Sequence, residues 1–161
     1  MESRFRYQFF SPTKILLGAD IQPGQTVLEL GCGTGFFTIP AAQLIGDGGC
    51  LLAMDILPES VELVSRKVQA ADLQNVRVVK GDALDTGLES QSMDAVLLFG
   101  VIPAPMLPLN RLLPEMHRLL KPEGTLAVWP PISGWLPQAI LRSGSFRFAG
   151  KRNGVHNFLR C

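Results

Sequence analysis

The sequence predicts an α/β fold: a doubly wound, mostly parallel sheet closed by a C-terminal antiparallel hairpin. Three observations carry this. Between Thr26 and Trp129, short and nearly continuous apolar runs alternate with longer helical patterns, as parallel strands covered on both faces require. Glu29, Asp55, Asp82 and Phe99 each fall at or just past the end of such a run, the edge of an open α/β sheet where ligands bind. Near the C-terminus, two short runs flank Gly150-Lys151-Arg152-Asn153-Gly154, which reads as a hairpin.

Taken in order, Ser11-Pro12 starts a helix that runs to about Ala19, with a side-chain cap followed by a proline whose missing N–H costs nothing there. Gln22-Pro23-Gly24-Gln25 turns into the strand Thr26–Leu30. A loop with glycine at alternate positions follows, then a helix from about Phe36 to Ile45 with Pro40 near its first turn. Cys50–Met54 is the second strand, ending at Asp55, and Pro58 opens the helix Glu59–Ala70. Its early acid and its late Arg66 and Lys67 match the helix dipole. Val76–Lys80 is the third strand and Asp94–Phe99 the fourth. A leucine-rich helix covers roughly Leu107–Leu120, with a bend expected at Pro114. Lys121-Pro122-Glu123-Gly124 turns into the fifth strand, Thr125–Trp129, and Ser133 caps a short helix to about Leu141. Phe146–Ala149 and Val155–Leu159 form the hairpin.

Composition bounds the function. A chain of 161 residues with 47% hydrophobic and 18% charged residues is expected to form one domain with a single core. The longest apolar stretch, Ala95 to Leu109, is interrupted by Pro103, Pro105 and Pro108, too short and broken for a membrane span. No signal-peptide pattern opens the sequence. Three scattered cysteines, Cys32, Cys50 and Cys161, offer neither a disulfide framework nor metal-ligand spacing. A cytoplasmic setting without a bound metal is the expectation. The net charge of +1 hides an asymmetry: from Gly124 onward there is no acid, while Arg142, Arg147, Lys151, Arg152 and Arg160 are basic. That end either attracts phosphates, including those of nucleic acid, or is a solvated edge that resists aggregation.

The most specific local signal is Val27-Leu28-Glu29-Leu30-Gly31-Cys32-Gly33-Thr34-Gly35, a buried strand running through an acid into a glycine loop. Glycine at alternate positions lets backbone approach a ligand and exposes N–H groups ahead of the next helix. The spacing is Gly-x-Gly-x-Gly, unlike the Gly-x-Gly-x-x-Gly of a dinucleotide-binding turn. A nicotinamide-binding domain would also place an acid after its second strand. The loop spacing, Gly81-Asp82-Ala83 after strand three and the lack of a second substrate-sized region argue against it.

With these motifs in order, the chain resembles the class I S-adenosylmethionine-dependent methyltransferases, especially the small-molecule and quinone-type branch. The resemblance covers about Gln22 to Trp129 and rests on the glycine loop, Asp55, Gly81-Asp82-Ala83, Leu97-Leu98-Phe99-Gly100-Val101 and Met116–Gly124. It implies a Rossmann-like sheet of seven strands and S-adenosylmethionine as cofactor, leaving S-adenosylhomocysteine as product. By resemblance, Asp55 binds the ribose hydroxyls and Ile56 packs on the adenine. Asp82 and Ala83 bind the adenine edge, and Glu29 faces the cationic amino end of the methionine. The backbones of Gly31, Gly33 and Phe99 hold the methionine portion, with Cys32 and Gly35 completing the loop. Cys32 itself reads as a small apolar packing residue.

Methyl transfer is an in-line displacement at an activated carbon, for which orientation supplies much of the rate. No catalytic acid or base stands out: His117 lies in a leucine-rich helix and His156 in the hairpin. Phe99-Gly100-Val101-Ile102-Pro103 is not the Asn/Asp-Pro-Pro-Tyr/Phe motif of enzymes that methylate exocyclic amino nitrogens. Asp94 is at the wrong end of its strand to serve as the metal ligand of catechol-type enzymes. Phe5, Tyr7, Phe9, Phe10, Pro103, Met106, Trp135 and Phe146 are expected to line an apolar acceptor side, with residues 1–20 covering the site. The expected activity is methyl transfer to a small or lipid-like acceptor. The alternatives are a catalytically silent cofactor-binding subunit of a larger assembly and an RNA-modifying enzyme. A homodimer or a partner subunit could also supply the lid.

Overall fold

The computed structural model describes residues 11–102, 104–129 and 136–161. Its seven strands form one sheet in the order β3-β2-β1-β4-β5-β7-β6. They are β1 (Thr26–Leu30), β2 (Cys50–Asp55), β3 (Val76–Lys80), β4 (Met93–Phe99), β5 (Leu120–Trp129), β6 (Phe146–Arg152) and β7 (Val155–Arg160). The first five are mutually parallel, while β7 runs antiparallel to both β5 and β6. The helices are α1 (Pro12–Leu17), α2 (Thr38–Ile45), α3 (Pro58–Ala70), α4 (Leu109–Leu119) and α5 (Leu136–Arg142).

The two-residue period of the strands sorts the core into two layers. Val27, Leu51, Ala95, Leu97 and Ala127 pack with Ile15 and Leu16 of α1 and Ala41, Ala42 and Ile45 of α2. The alternate residues, Leu28, Leu52, Val96, Leu98 and Leu126, pack with Leu112, Leu113 and Met116 of α4 and Ile140 of α5. Helix α3 closes the first layer through Val64 and Val68, which cluster with Ala53 and Cys32.

Strands β1 and β3 match the sequence expectation at both ends, and the Ser11 side chain caps α1 by accepting from the Lys14 N–H at 3.2 Å. Several boundaries differ. Helix α2 starts at Thr38 because Phe36 and Phe37 still belong to the incoming turn, which places Pro40 in its first turn, where no intrahelical N–H is needed. Strand β5 begins at Leu120, not Thr125: Leu120 pairs with Met93, and Lys121–Gly124 then bulge out opposite Asp94 before pairing resumes at Thr125. The hairpin turn is the two-residue Asn153-Gly154, both at positive φ, so β6 reaches Arg152 and has a register shift between Phe148 and Gly150. This is the turn chemistry that right-twisted strands favour. Ser133 lies outside the described residues.

Helix α1 packs on the sheet beside the hairpin. Arg152 and Asn157 donate to the carbonyls of Leu17 and Gly18, and Asn153 donates to that of Lys14. The helix-free segment between β3 and β4 is pinned to α4. Glu115 accepts from both the amide and the hydroxyl of Thr86, while Arg118 donates to Glu115 and to the Leu88 carbonyl. No helix among the described residues is long and apolar enough to cross a membrane.

Candidate functional site

The sheet order reverses direction between β1 and β4, so the connections leaving these neighbouring strands diverge and open a crevice at their carboxyl ends. A cleft of about 280 Å3 lies there, close to the lower end of the range of small-molecule sites. Gly31, Asp55, Ile56, Asp82 and Ala83 line it together. Residues that the sequence reading did not assign complete the wall: Leu30, Met54, Leu84, Val101 and Leu107 are mainly apolar additions from the strand ends and the segment after β4. Val101 was within reach, as it closes the motif after β4. Met106, expected on the acceptor side, also lines the cleft and is 75% exposed.

The glycine loop lies across the end of β2. The amides of Gly31 and Cys32 both donate to the Met54 carbonyl, at 2.8 and 3.1 Å. The Gly35 amide closes a tight turn onto the Cys32 carbonyl at 2.8 Å. Gly31 has φ +69°, and a Cβ there would lie 2.3 Å from Cγ1 of Val101. Gly33 has φ +54° and its missing Cβ would meet only the Gly31 carbonyl, at 3.9 Å. The first glycine is therefore required by protein packing, while the second leaves open space beside the backbone.

Asp55 ties this loop to the cleft. Its Oδ2 accepts from the Gly33 N–H at 2.9 Å and its Oδ1 from the Leu57 N–H at 3.0 Å. A carboxylate oxygen has two lone pairs, so each retains capacity for a further donor. Ile56 beside it presents a half-exposed apolar surface. Asp82 caps its own turn by accepting from the Leu84 N–H at 2.9 Å.

Glu29 and Phe99 are not part of the cleft wall. Glu29 has the same strand parity as Val27 and so points into the α2 layer, where it is buried and its Oε1 accepts from the Thr38 hydroxyl at 2.5 Å. Burial pushes its carboxyl up to about 7; the Thr38 hydrogen bond opposes the rise and the negative charge of Asp55 adds to it. Phe99 is buried and meets Phe37 edge-on, with ring centroids 5.0 Å apart, and Phe37 in turn meets Trp129. Cys32 is buried among Ala53, Val64 and Val68. Burial and the charges of Glu29 and Asp55 push its thiol up to about 12, which leaves an inert packing group.

One expected acceptor residue is corrected. Phe146 opens β6 opposite Arg160, at the end of the sheet where β5 begins, and is buried in the α4-side core. The hairpin's antiparallel course carries it to the far edge from the cleft. His117 lies at that same end, against the Phe146 ring and 3.0 Å from the Cys161 carbonyl. Asp94, also there, accepts from the Thr26 N–H and from Lys121 Nζ. Burial holds the His156 imidazole below its ordinary range, with the Lys151 charge contributing. Two of the C-terminal arginines sit in exposed ion pairs, Arg147 with Glu123 and Arg152 with Asp20, while the half-buried Arg160 donates to the His117 carbonyl. Phe5, Tyr7, Phe9, Phe10, Pro103 and Trp135 fall outside the described residues.

Comparison with known proteins bears on this geometry. Residues 27–124 match a family model described as a methyltransferase domain. A demethylmenaquinone methyltransferase of Listeria welshimeri is 35% identical over 120 residues, covering 71% of this chain and 50% of the relative. Another, from Lactobacillus johnsonii, is 30% identical over 129 residues, covering 79% of this chain and 50% of the relative. The chain thus spans about half the length of the curated relatives it matches. Among solved structures, a SAM-dependent methyltransferase from Aquifex aeolicus aligns with a TM-score of 0.81 at 23% identity, covering 99% of this chain and 93% of that one. A methyltransferase from Geobacter sulfurreducens aligns with a TM-score of 0.70 at 21% identity, covering 91% of this chain and 76% of that one.

Proposed function

Because the chain belongs to the methyltransferase-domain family and carries its seven-stranded fold, we propose that it binds S-adenosylmethionine in the cleft at the ends of β1, β2, β3 and β4. The observation that carries this reading is Asp55, a carboxylate at the lip of an otherwise largely apolar cleft, hydrogen-bonded to the amide of Gly33. The donor set fits the cofactor. Asp55 and Asp82 offer acceptors to a ribose diol and an adenine amino group, and Ile56, Ala83, Val101 and Leu107 offer apolar surface to a purine. When bound, the cofactor supplies a methyl group on a positively charged sulfur.

The chain's own residues would bind and orient. Asp55 holds the ribose and keeps the glycine loop against β2. Gly33 leaves room for the methionine portion beside the loop, while Glu29, turned from the cleft, anchors the start of α2 through Thr38. Leu84, Val101 and Leu107 exclude water from the apolar part of the cleft. Among the described residues that line it, the ionisable groups are Asp55 and Asp82, both assigned to binding. Rate enhancement then rests on proximity and orientation rather than on a dedicated base.

The acceptor in this reading is a small, apolar, quinone-type ring compound. The relatives named demethylmenaquinone methyltransferases support that class, as does the exposed apolar side chain of Met106 on the cleft wall. The test is transfer of a tritiated methyl group from S-adenosylmethionine to pools of quinols, other small molecules, lipids and RNA. Label in the quinol pool is expected. Label confined to RNA, or none in any pool while cofactor binding persists, would replace this reading with the RNA enzyme or the silent subunit.

A further inference from the structure

Lys67 stands out on α3 because it faces the wrong way for an ordinary surface lysine. Its neighbour Arg66 is exposed and lies 3.9 Å from Glu62 one turn earlier. Lys67 is half-buried on the helix face that carries Val64 and Val68. Ordering a long cationic side chain on an inward face costs rotamer freedom and solvation. The compensation includes a short charge-assisted bond: Nζ donates to the Thr34 carbonyl at 2.6 Å. The stem of Lys67 also lies under the loop, with Cδ 3.6 Å from where a Cβ on Gly35 would be.

This contact complements that of Asp55. Asp55 takes the Gly33 N–H, Lys67 gives to the Thr34 carbonyl, and the two bonds bracket the Gly33–Thr34 peptide. The loop is thus gripped by an acid from β2 and a base from α3, two elements of one crossover unit. We propose that Lys67 is a positioning residue for the glycine loop, holding its central peptide in the orientation that receives the methionine end of the cofactor. The ligand part of this proposal rests on the cofactor reading above. Lys67 does not line the cleft and acts through the loop backbone.

The experiment compares wild type, Lys67→Met and Lys67→Arg. Lys67→Met keeps the apolar stem and removes the donor, whereas Lys67→Arg keeps a cationic donor. Amide hydrogen exchange of residues 31–37 is measured without ligand, alongside urea stability and calorimetric affinities for S-adenosylhomocysteine and 5′-methylthioadenosine. The second ligand has the nucleoside but lacks the amino-acid end. In Lys67→Met, loop exchange should rise and S-adenosylhomocysteine affinity should fall, each by about tenfold, as for loss of one charge-assisted hydrogen bond. Methylthioadenosine affinity and exchange in β1 and β4 should be unchanged, and Lys67→Arg should recover most of the loss. Unchanged loop exchange in Lys67→Met, or equal weakening of both ligands, would overturn the proposal. If wild type binds neither ligand, the cofactor reading fails and the ligand part of the proposal falls with it. Loop exchange then decides the structural part by itself.

Discussion

The Cβ that Gly31 lacks would fall 2.3 Å from Cγ1 of Val101. Both residues line the cleft, one just after β1 and the other after β4, so their contact fixes how closely the two connections approach. Gly31→Ala should combine a steric clash with a left-handed backbone at φ +69°, which costs a residue bearing Cβ about 1–2 kcal/mol. The expected result is a lower urea midpoint and loss of cofactor affinity. Adding Val101→Ala should recover the steric part of the stability loss but not the backbone part. Full recovery, or none, would show that the contact does not act as described.

Glu115 and Arg118 give a pH-dependent prediction. Arg118 bonded to Glu115 holds the carboxyl down at about 2, helped by the two bonds from Thr86. Its folded value lies below the ordinary 4.5. The pair therefore stabilises the fold at neutral pH, and this contribution fades as the pH falls from about 4.5 toward 2. Glu115→Gln should cost about 1–3 kcal/mol at pH 7, as for a partly buried charge-assisted bond, and its deficit should shrink in acid. Urea unfolding at pH 7 and pH 3.5 checks this. A deficit that stays constant between the two would contradict it.

Glu29 should behave in the opposite sense. Its folded value of about 7 lies above the ordinary 4.5, so the folded chain holds more protons across that window. Stability is then lost as the pH rises from about 4.5 through 7. Glu29→Gln can keep a hydrogen bond with Thr38 but cannot ionise. Relative to wild type it should gain on the order of 1–3 kcal/mol between pH 5 and pH 8. Parallel stability curves for the two proteins would show that Glu29 does not titrate in this range.

Legibility in the sequence followed the range of the interactions involved. Asp55 and Asp82 are readable because each stands where an apolar run ends and strand ends converge by topology, whereas Gly31, Ile56 and Ala83 are legible through the family resemblance of the motifs that hold them. Strand parity also explains why Glu29 turns from the cleft toward Thr38, but seeing it required knowing which face α2 covers. The bulge at Lys121–Gly124 was hidden because a turn signal and a bulge use the same residues, and only pairing with Met93 distinguishes them. Phe146 was misplaced because an aromatic residue near the C-terminus says nothing of which end of the sheet a hairpin brings it to. Lys67 carried the sequence signature of a dipole-complementing surface residue, and its contact with Thr34 spans 33 residues.

The most direct test of the cofactor assignment is calorimetric titration of the wild-type chain and Asp55→Ala with S-adenosylhomocysteine and with NADH. The structure predicts binding of S-adenosylhomocysteine by wild type and no heat with NADH. In Asp55→Ala, with folding verified by circular dichroism, affinity should fall at least about tenfold, through loss of a charged acceptor. Absence of S-adenosylhomocysteine binding by the folded wild type, or binding that Asp55→Ala leaves intact, would contradict the assignment of this cleft.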